Sequence, residues 1–382
     1  EAWELLLDQL SAEDMILLVT YSGFGTPRID SIGMPQTLAN DGPAAASTAW
    51  AGVEGSLQVT TNAYTCEVTV ACTFNVQLAE EMGAMLGREA LMIRNHSNNV
   101  PYAGWYAPGV NIHRSPFGGR NFEYYSEDPL LSGKMASATV SGAASKGLYA
   151  MMKHFALNDQ ETYRSGWGYA SNNALFTWAD EQTIREIYLR AFEIPVKEAT
   201  CEIRYISDDK GTVSTKIIRA GLGIMTSFNA VGNTWAGAHD GLLAKVLREE
   251  WGFDGVVITD YKQDNRKYMD IDAMIRAGAD VALCTTPLEL ADSTSATAVR
   301  SLREASRHLL YATVNSSAMN GLVPGTIVSY TMAPWRILLV TANVVVYVFV
   351  AACVTLLVLR GIDVKRHPEN YKPKKEKMTE NK

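Results

Sequence analysis

The chain has 382 residues, enough for one large domain or two ordinary ones, and its 47% apolar and 20% charged residues exclude a disordered chain. The formal net charge is −7, yet residues 360–382 hold eight Lys or Arg against four Asp or Glu, so the body before them is more acidic still. An acidic body excludes nucleic acid as a partner, because phosphate binding needs a basic face. The five cysteines have neither the density nor the spacing of a disulfide scaffold or a zinc site.

In chain order, a helical pattern comes first: Trp3, Leu6, Leu7 and Leu10 fall on one face. It begins at Glu1 without Met or a signal peptide, and the expectation is that further sequence lies upstream. Apolar, β-rich runs then read as strands over 68–75, 105–112, 148–158, 223–229, 255–260 and 279–284. Helical patterns separate them over 77–92, 180–199, 240–251, 267–277 and 299–314, with Asp180 placed to cap the second. Such alternation predicts an α/β fold with parallel strands, and over this length a (β/α)8 TIM-like barrel spanning 1–312. The stretch 200–220 breaks the alternation and reads as an inserted hairpin turning near Asp208–Gly211.

After a link over 313–335 rich in Asn, Ser, Gly and Pro, residues 337–359 form a 23-residue run without a charge. About 20 apolar residues span a hydrocarbon core of about 30 Å. Arg336 and Arg360 bracket the run, and Trp335 stands at one interface. A single transmembrane helix is expected over 336–360, with the bilayer as partner. The basic tail 361–382, including Lys365, Arg366, Lys372, Lys374, Lys375 and Lys377, is expected to be cytoplasmic and the acidic domain extracellular.

Polar residues gather where apolar runs end: Asn111 and His113, Lys153 and His154, Ser227 and Asn229, Thr259 and Asp260. In a parallel barrel those ends converge on one face and build the site. Gly255 to Tyr261 reads GVVITDY, a run buried on both faces that ends in a carboxylate and an aromatic ring. Either Asp260 caps a following helix, or it is held at the barrel mouth beside a ring on which a sugar can stack. Residues 109–133 crowd Arg114, Arg120, Glu123, Glu127 and Asp128 into a glycine-containing loop, where ion pairs are expected to hold Arg114 and most of the acids. Arg120, between Gly119 and Asn121, is free to aim its fork at hydroxyls or a carboxylate. Lys153 and His154 adjoin at a strand end near Asn158 and Gln160. Asp41, in Asn40-Asp41-Gly42-Pro43, is turn chemistry alone, or a carboxylate for sugar hydroxyls at an early strand end. No His-Glu-x-x-His spacing, dinucleotide glycine motif or Walker motif appears, so no metal or cofactor is expected. Asn315-Ser316-Ser317 matches a glycosylation acceptor.

Taken together and in order, NDGP, GVNIHRSPFGGRNFEYYSEDPLLSG, KHFALNDQE, IMTSFNAVG and GFDGVVITDY resemble the barrel domain of glycoside hydrolase family 3, from about Leu5 to Ala318. The resemblance implies a retaining exo-acting β-glycosidase, β-glucosidase-like, with Asp260 as nucleophile. It also implies that Asp41, Arg120, Lys153 and His154 bind the hydroxyls of a β-linked sugar. Tyr261 stands where the family usually has Trp, and Phe228 where many members have Tyr. The family's acid/base usually comes from a second α/β domain, and here it is expected upstream, outside this chain. The alternative is a non-catalytic carbohydrate-binding or scaffold protein on a degenerate barrel.

Overall fold

The computed structural model describes residues 2–46, 61–93, 100–165, 173–208, 210–262, 266–319 and 334–371. The chain divides into two compact units, Glu1–Val323 and Pro324–Lys382. In the first, two short helices, α1 (Ala2–Leu7) and α2 (Ala12–Tyr21), precede strand β1 (Leu38–Asp41). Next come α3 (Glu67–Ala71), α4 (Val76–Ile93), β2 (Tyr102–Tyr106), α5 (Pro129–Ala144) and β3 (Tyr149–Phe155). β4 (Phe176–Thr177), α6 (Glu181–Thr183) and α7 (Arg190–Glu198) lead to a hairpin of β5 (Thr200–Ile206) and β6 (Val213–Arg219). β7 (Gly223–Thr226) is followed by the small pair β8 (Ala230–Val231) and β9 (Thr234–Trp235), a wide helical segment Gly241–Glu250, β10 (Val256–Ile258), α8 (Ile271–Ala277) and α9 (Ala296–Val314).

β1, β2, β3, β7 and β10 form one parallel sheet in that order. Helices intervene between successive strands, as parallel pairing requires. β2, β3, β7 and β10 are buried throughout, which is why they read as unbroken apolar runs. Among the described residues this regular sheet is a five-stranded half of the TIM-like barrel, where the sequence led eight strands to be expected. Two irregular stretches carry its edges onward. Thr259 N–H donates to Val281 O (2.9 Å) and Ala282 N–H to Val19 O (2.9 Å), while Ala39 N–H donates to Phe24 O (3.0 Å). The run at 279–284 thus meets β10 through a bridge at Val281 and not as a full strand.

Three elements depart from the sequence reading. Residues 68–75, expected as a strand from Val68, Thr69 and Val70, are α3 and a turn. Glu67, Val70 and Ala71 are the buried positions there, and that helical spacing against the core outweighs β-branched propensity. β2 starts earlier than expected and stops at Tyr106, just before Pro108, which has no N–H to give a ladder. α5 was not anticipated. Asp128 caps it, accepting from Leu130 N–H (2.7 Å) and Leu131 N–H (3.0 Å), and Pro129 opens it. Its small residues show no apolar stripe because they admit α4 at backbone contact: a Cβ on Gly142 would lie 2.0 Å from Glu80 O.

At the end of the sheet opposite Asp260, Asp280 ties three elements together. Its Oδ2 accepts from Arg248 (2.6 Å) and from Val257 N–H (2.7 Å), and its Oδ1 lies 2.8 Å from His308 Nδ1 of α9. Arg248 also donates to the carbonyls of Phe253, Gly255 and Gly278.

The second unit contains α10 (Pro334–Arg366), the one helix among the described residues that is long and apolar enough to cross a membrane. At 1.5 Å per residue its 33 residues reach about 50 Å, so it outruns the expected span 336–360 at both ends. The expected link from 313 begins inside α9, and its part over 320–333, like the tail from 372, lies outside the described residues.

Asp280→Ala leaves the Arg248 guanidinium buried without its carboxylate. Chemical denaturation should register a loss of about 3–5 kcal/mol.

Candidate active site

The carboxyl ends of the parallel strands surround a cavity of about 240 Å³. All six residues singled out from the sequence line it: Asp41, Arg120, Lys153, His154, Asp260 and Tyr261. Phe24, Arg164, Met225 and Leu283 complete the wall.

Most other polar strand-end residues hold the backbone in place. Asn111 brackets His154, accepting from its N–H (2.7 Å) and donating to its carbonyl (3.1 Å). Ser227 and Asn229 both donate to Ala156 O (3.1 Å each), and Thr259 Oγ1 accepts from Leu283 N–H. His113 Nε2 lies 2.8 Å from Tyr124 O. The turn carrying Asp41 is pinned by Trp105, whose indole N–H reaches the carbonyls of Gly42 and Ala45. The peptide between Lys153 and His154 is cis, and both side chains line the cavity.

Lys153, almost wholly buried, has two anionic partners: Asp41 Oδ1 at 3.0 Å and Glu123 Oε1 at 3.1 Å. Glu123 also accepts from Arg120 at 2.5 Å. Burial alone would raise the Glu123 carboxyl, but Lys153 and Arg120 outweigh it and hold it below the usual range. Lys153 behaves in the mirror sense: burial acts to neutralise it, and Glu123 with Asp41 keeps it charged. Arg120 Nη1 lies 3.2 Å from His154 Nε2. A guanidinium only donates, so that nitrogen accepts and the imidazole proton sits on Nδ1, facing Tyr124 OH at 3.5 Å. Burial, reinforced by Arg120, Lys153 and Arg164, drives the His154 pKa far down, so the ring is neutral.

Asp260 follows β10, where its N–H donates to Thr226 O. Its Oδ1 accepts from Tyr261 N–H at 2.7 Å. Its Oδ2 has no hydrogen-bond partner among the described residues; His154 Nε2 and Arg164 Nη1 each stand 3.7 Å away. Burial raises the Asp260 pKa above the ordinary aspartate value, and Arg164, then Arg120, pull against that rise. The result is a buried carboxylate oxygen aimed into a polar cavity with a cation on one side and a neutral imidazole on the other.

The description "Glycosyl hydrolase family 3 N terminal domain" matches residues 46–205 and 200–313. The chain belongs to glycosyl hydrolase family 3. It is 37% identical over 260 residues to β-glucosidase A of Butyrivibrio fibrisolvens, covering 68% of this chain and 26% of that one. It is 34% identical to a β-glucosidase of Rhizobium radiobacter, covering 67% and 27%. Its structure is similar to β-glucosidase 3B from Thermotoga neapolitana in complex with glucose, with TM-score 0.65, 30% identity, and coverage of 83% of this chain and 43% of that one. The chain therefore spans about a quarter of the length of these two curated relatives.

Within this family 3 domain, three site residues escaped the sequence reading. Glu123 was counted among loop ion pairs, yet it is the shared partner of Arg120 and Lys153. Arg120 is accordingly held by Glu123 and His154, where the flanking Gly119 had promised freedom. Arg164 comes from the turn after β3, paired with Glu161 at 3.0 Å and lying over the Phe228 ring at 4.9 Å. Arg266 lies over the same ring at 4.6 Å. Only the spacing of Glu161 and Arg164, three residues apart, hinted at their pairing. Among the described residues no carboxylate lies within ion-pair distance of Arg114, contrary to expectation.

Because the Glu123 pKa is depressed in the fold, its stabilisation is full above the unfolded value of about 4.3 and is lost as pH falls through the folded value. Glu123→Gln should lower stability by about 2–4 kcal/mol at pH 7. Denaturation midpoints measured from pH 7 down to pH 3 should converge with those of the unaltered chain.

Proposed function

We propose that this chain carries the sugar-cleaving barrel of a retaining, β-glucosidase-like exo-glycosidase, with Asp260 Oδ2 as the nucleophile. The unpartnered Oδ2 facing the cavity is the observation that carries this reading. Oδ2 attacks the anomeric carbon from the face opposite the leaving group. The bond from that carbon to the glycosidic oxygen breaks, and the departing oxygen takes a proton from an acid/base. Water then attacks the same carbon, gives its proton back to that group, and frees Asp260 with retention. The acid/base belongs to a further domain of the full-length protein, in keeping with the chain's short span of its relatives.

Asp41, Arg120, Lys153 and His154 are the hydroxyl-binding set. Asp41 is half exposed and accepts, Lys153 and Arg120 donate, and the imidazole is fixed as a neutral group. Tyr261, packed edge-on against Phe24 at 6.0 Å and within reach of Thr285 Oγ1 (3.2 Å), is the platform beside the nucleophile. The β-glucosidase relatives and the glucose bound in the similar structure support a glucoside as substrate. α10 anchors the domain in a bilayer, with the catalytic unit outside and Lys365 and Arg366 on the cytoplasmic side.

Incubation with an activated 2-deoxy-2-fluoro-β-glucoside, whose leaving group needs little protonation, isolates the nucleophile from the acid/base. Intact mass should rise by one fluoroglucosyl group, on the peptide holding Asp260 and absent in Asp260→Ala. No label with either the glucose or the xylose reagent, on a chain completed with its missing domain, would leave the carbohydrate-binding reading. With its pKa raised, Asp260 is the attacking anion only above that raised value. The labelling rate should therefore fall on acidification with a midpoint above about 4.

For the anchor, alkaline carbonate extraction should leave the chain in the membrane pellet. A version ending at residue 333 should move to the supernatant.

A further inference from the structure

A second groove, of about 190 Å³, lies at the same carboxyl end of the sheet and takes no part in the chemistry above. Arg114, Asp159, Gln160, Phe176, Trp178 and Tyr188 line it. Its floor is the segment that follows β3, and its wall is β4 with the residues just beyond. Asn229, at the end of β7, ties the two by donating to Ala156 O and Thr177 Oγ1.

Trp178 is the unusual residue. It is 75% exposed, and Phe176 beside it is 49% exposed. An indole in water gains nothing for the fold. The ring is nevertheless backed: Gly232, at φ +62° in the β8–β9 turn, passes so near that a Cβ there would lie 3.7 Å from Trp178 Cζ3. One side of the platform is thus supported, and the groove lies beside it.

The polar groups are arranged as a sugar ring requires. Asp159 Oδ1 is shielded from solvent and has no hydrogen-bond partner among the described residues. Burial pushes the Asp159 carboxyl up to about 7, against the pull of Arg114, so at neutral pH it both accepts and donates. Among the described residues Arg114 has no ion-pair partner, and the Gln160 carbonyl has no donor while its amide donates to Thr162 O. A flat apolar face, a carboxyl, a guanidinium and an amide in one groove match the stacking face and the hydroxyl rim of a pyranose.

We propose that this groove is a second saccharide-binding site, in which Trp178 stacks one ring of a β-linked glucan while Asp159, Arg114 and Gln160 hold its hydroxyls. It stands apart from the pocket of Asp260 and holds sugar without cleaving it. The inference goes beyond the glycosidase reading and borrows from it only the choice of probe.

The test is calorimetric titration of the full-length chain, in detergent, with cellotetraose. The pocket is first closed with the fluoroglucosyl label, or disabled by Lys153→Ala if no label forms. Binding of one cellotetraose should persist in the closed protein. Trp178→Ala should weaken it about tenfold, as truncating an aromatic anchor does, with Trp178→Phe in between. Asp159→Asn should weaken it less. The fluoroglucoside labelling rate of Trp178→Ala should match that of the unaltered chain, which also shows that the variant is folded. Loss of all cellotetraose binding on closing the pocket overturns the proposal, and so does equal binding by Trp178→Ala and the unaltered chain. Labelling reads Asp260 and titration reads Trp178, so the two readings fail separately.

Discussion

The site is organised around one buried cation. Lys153 has lost nearly all contact with water, a position tolerated only because Glu123 and Asp41 stand within about 3 Å. Each of those carboxylates belongs to a different part of the chain, one at the last residue of β1 and one in the loop before α5. Glu123 in turn fixes Arg120, and Arg120 fixes the tautomer of His154. The charge balance of a single lysine thereby sets three neighbouring side chains and the turn that carries Asp41. Asp260 lies at the margin of this network, close enough to feel its cations and not bonded to any of them.

What was legible in the sequence follows from how the barrel is built. A strand buried on both faces must be apolar throughout, so Val256–Ile258 announces itself, and the polar Thr259 and Asp260 that follow mark the cavity end. α4 and α9 show an apolar period, and Asp180 caps α6 as read, its side chain accepting from Thr183 N–H. α5 stayed hidden because a helix wedged between two others needs small residues and no stripe. α3 was hidden by its β-branched residues. Arg164 was invisible for another reason: nothing in a local stretch says that a turn after one strand will reach across to the carboxylate of another.

Phe228 shows how a buried ring without a hydroxyl gathers cations beside the site. Phe228 is a bare ring, at the position where the family resemblance leads a tyrosine to be expected. The ring instead carries the guanidiniums of Arg164 and Arg266 on its faces, at 4.9 Å and 4.6 Å. Arg266 also donates to Tyr261 O. Of the two, Arg164 acts on Asp260 through space, pulling against its raised pKa, and makes no hydrogen bond to Oδ2.

The β5–β6 hairpin leaves the barrel after Ala199 and returns at Ala220, whose N–H donates to Ala199 O at 2.8 Å. Seven paired positions, from Thr200 opposite Arg219 to Ile206 opposite Val213, stand between that junction and the tip. To the barrel the excursion is almost closed on itself, like a parenthesis in a sentence. Its tip is therefore where foreign sequence, a fluorophore or an epitope, can be grafted with the least mechanical transmission to the pocket. It offers an attachment point in the interior of the chain, away from the pocket.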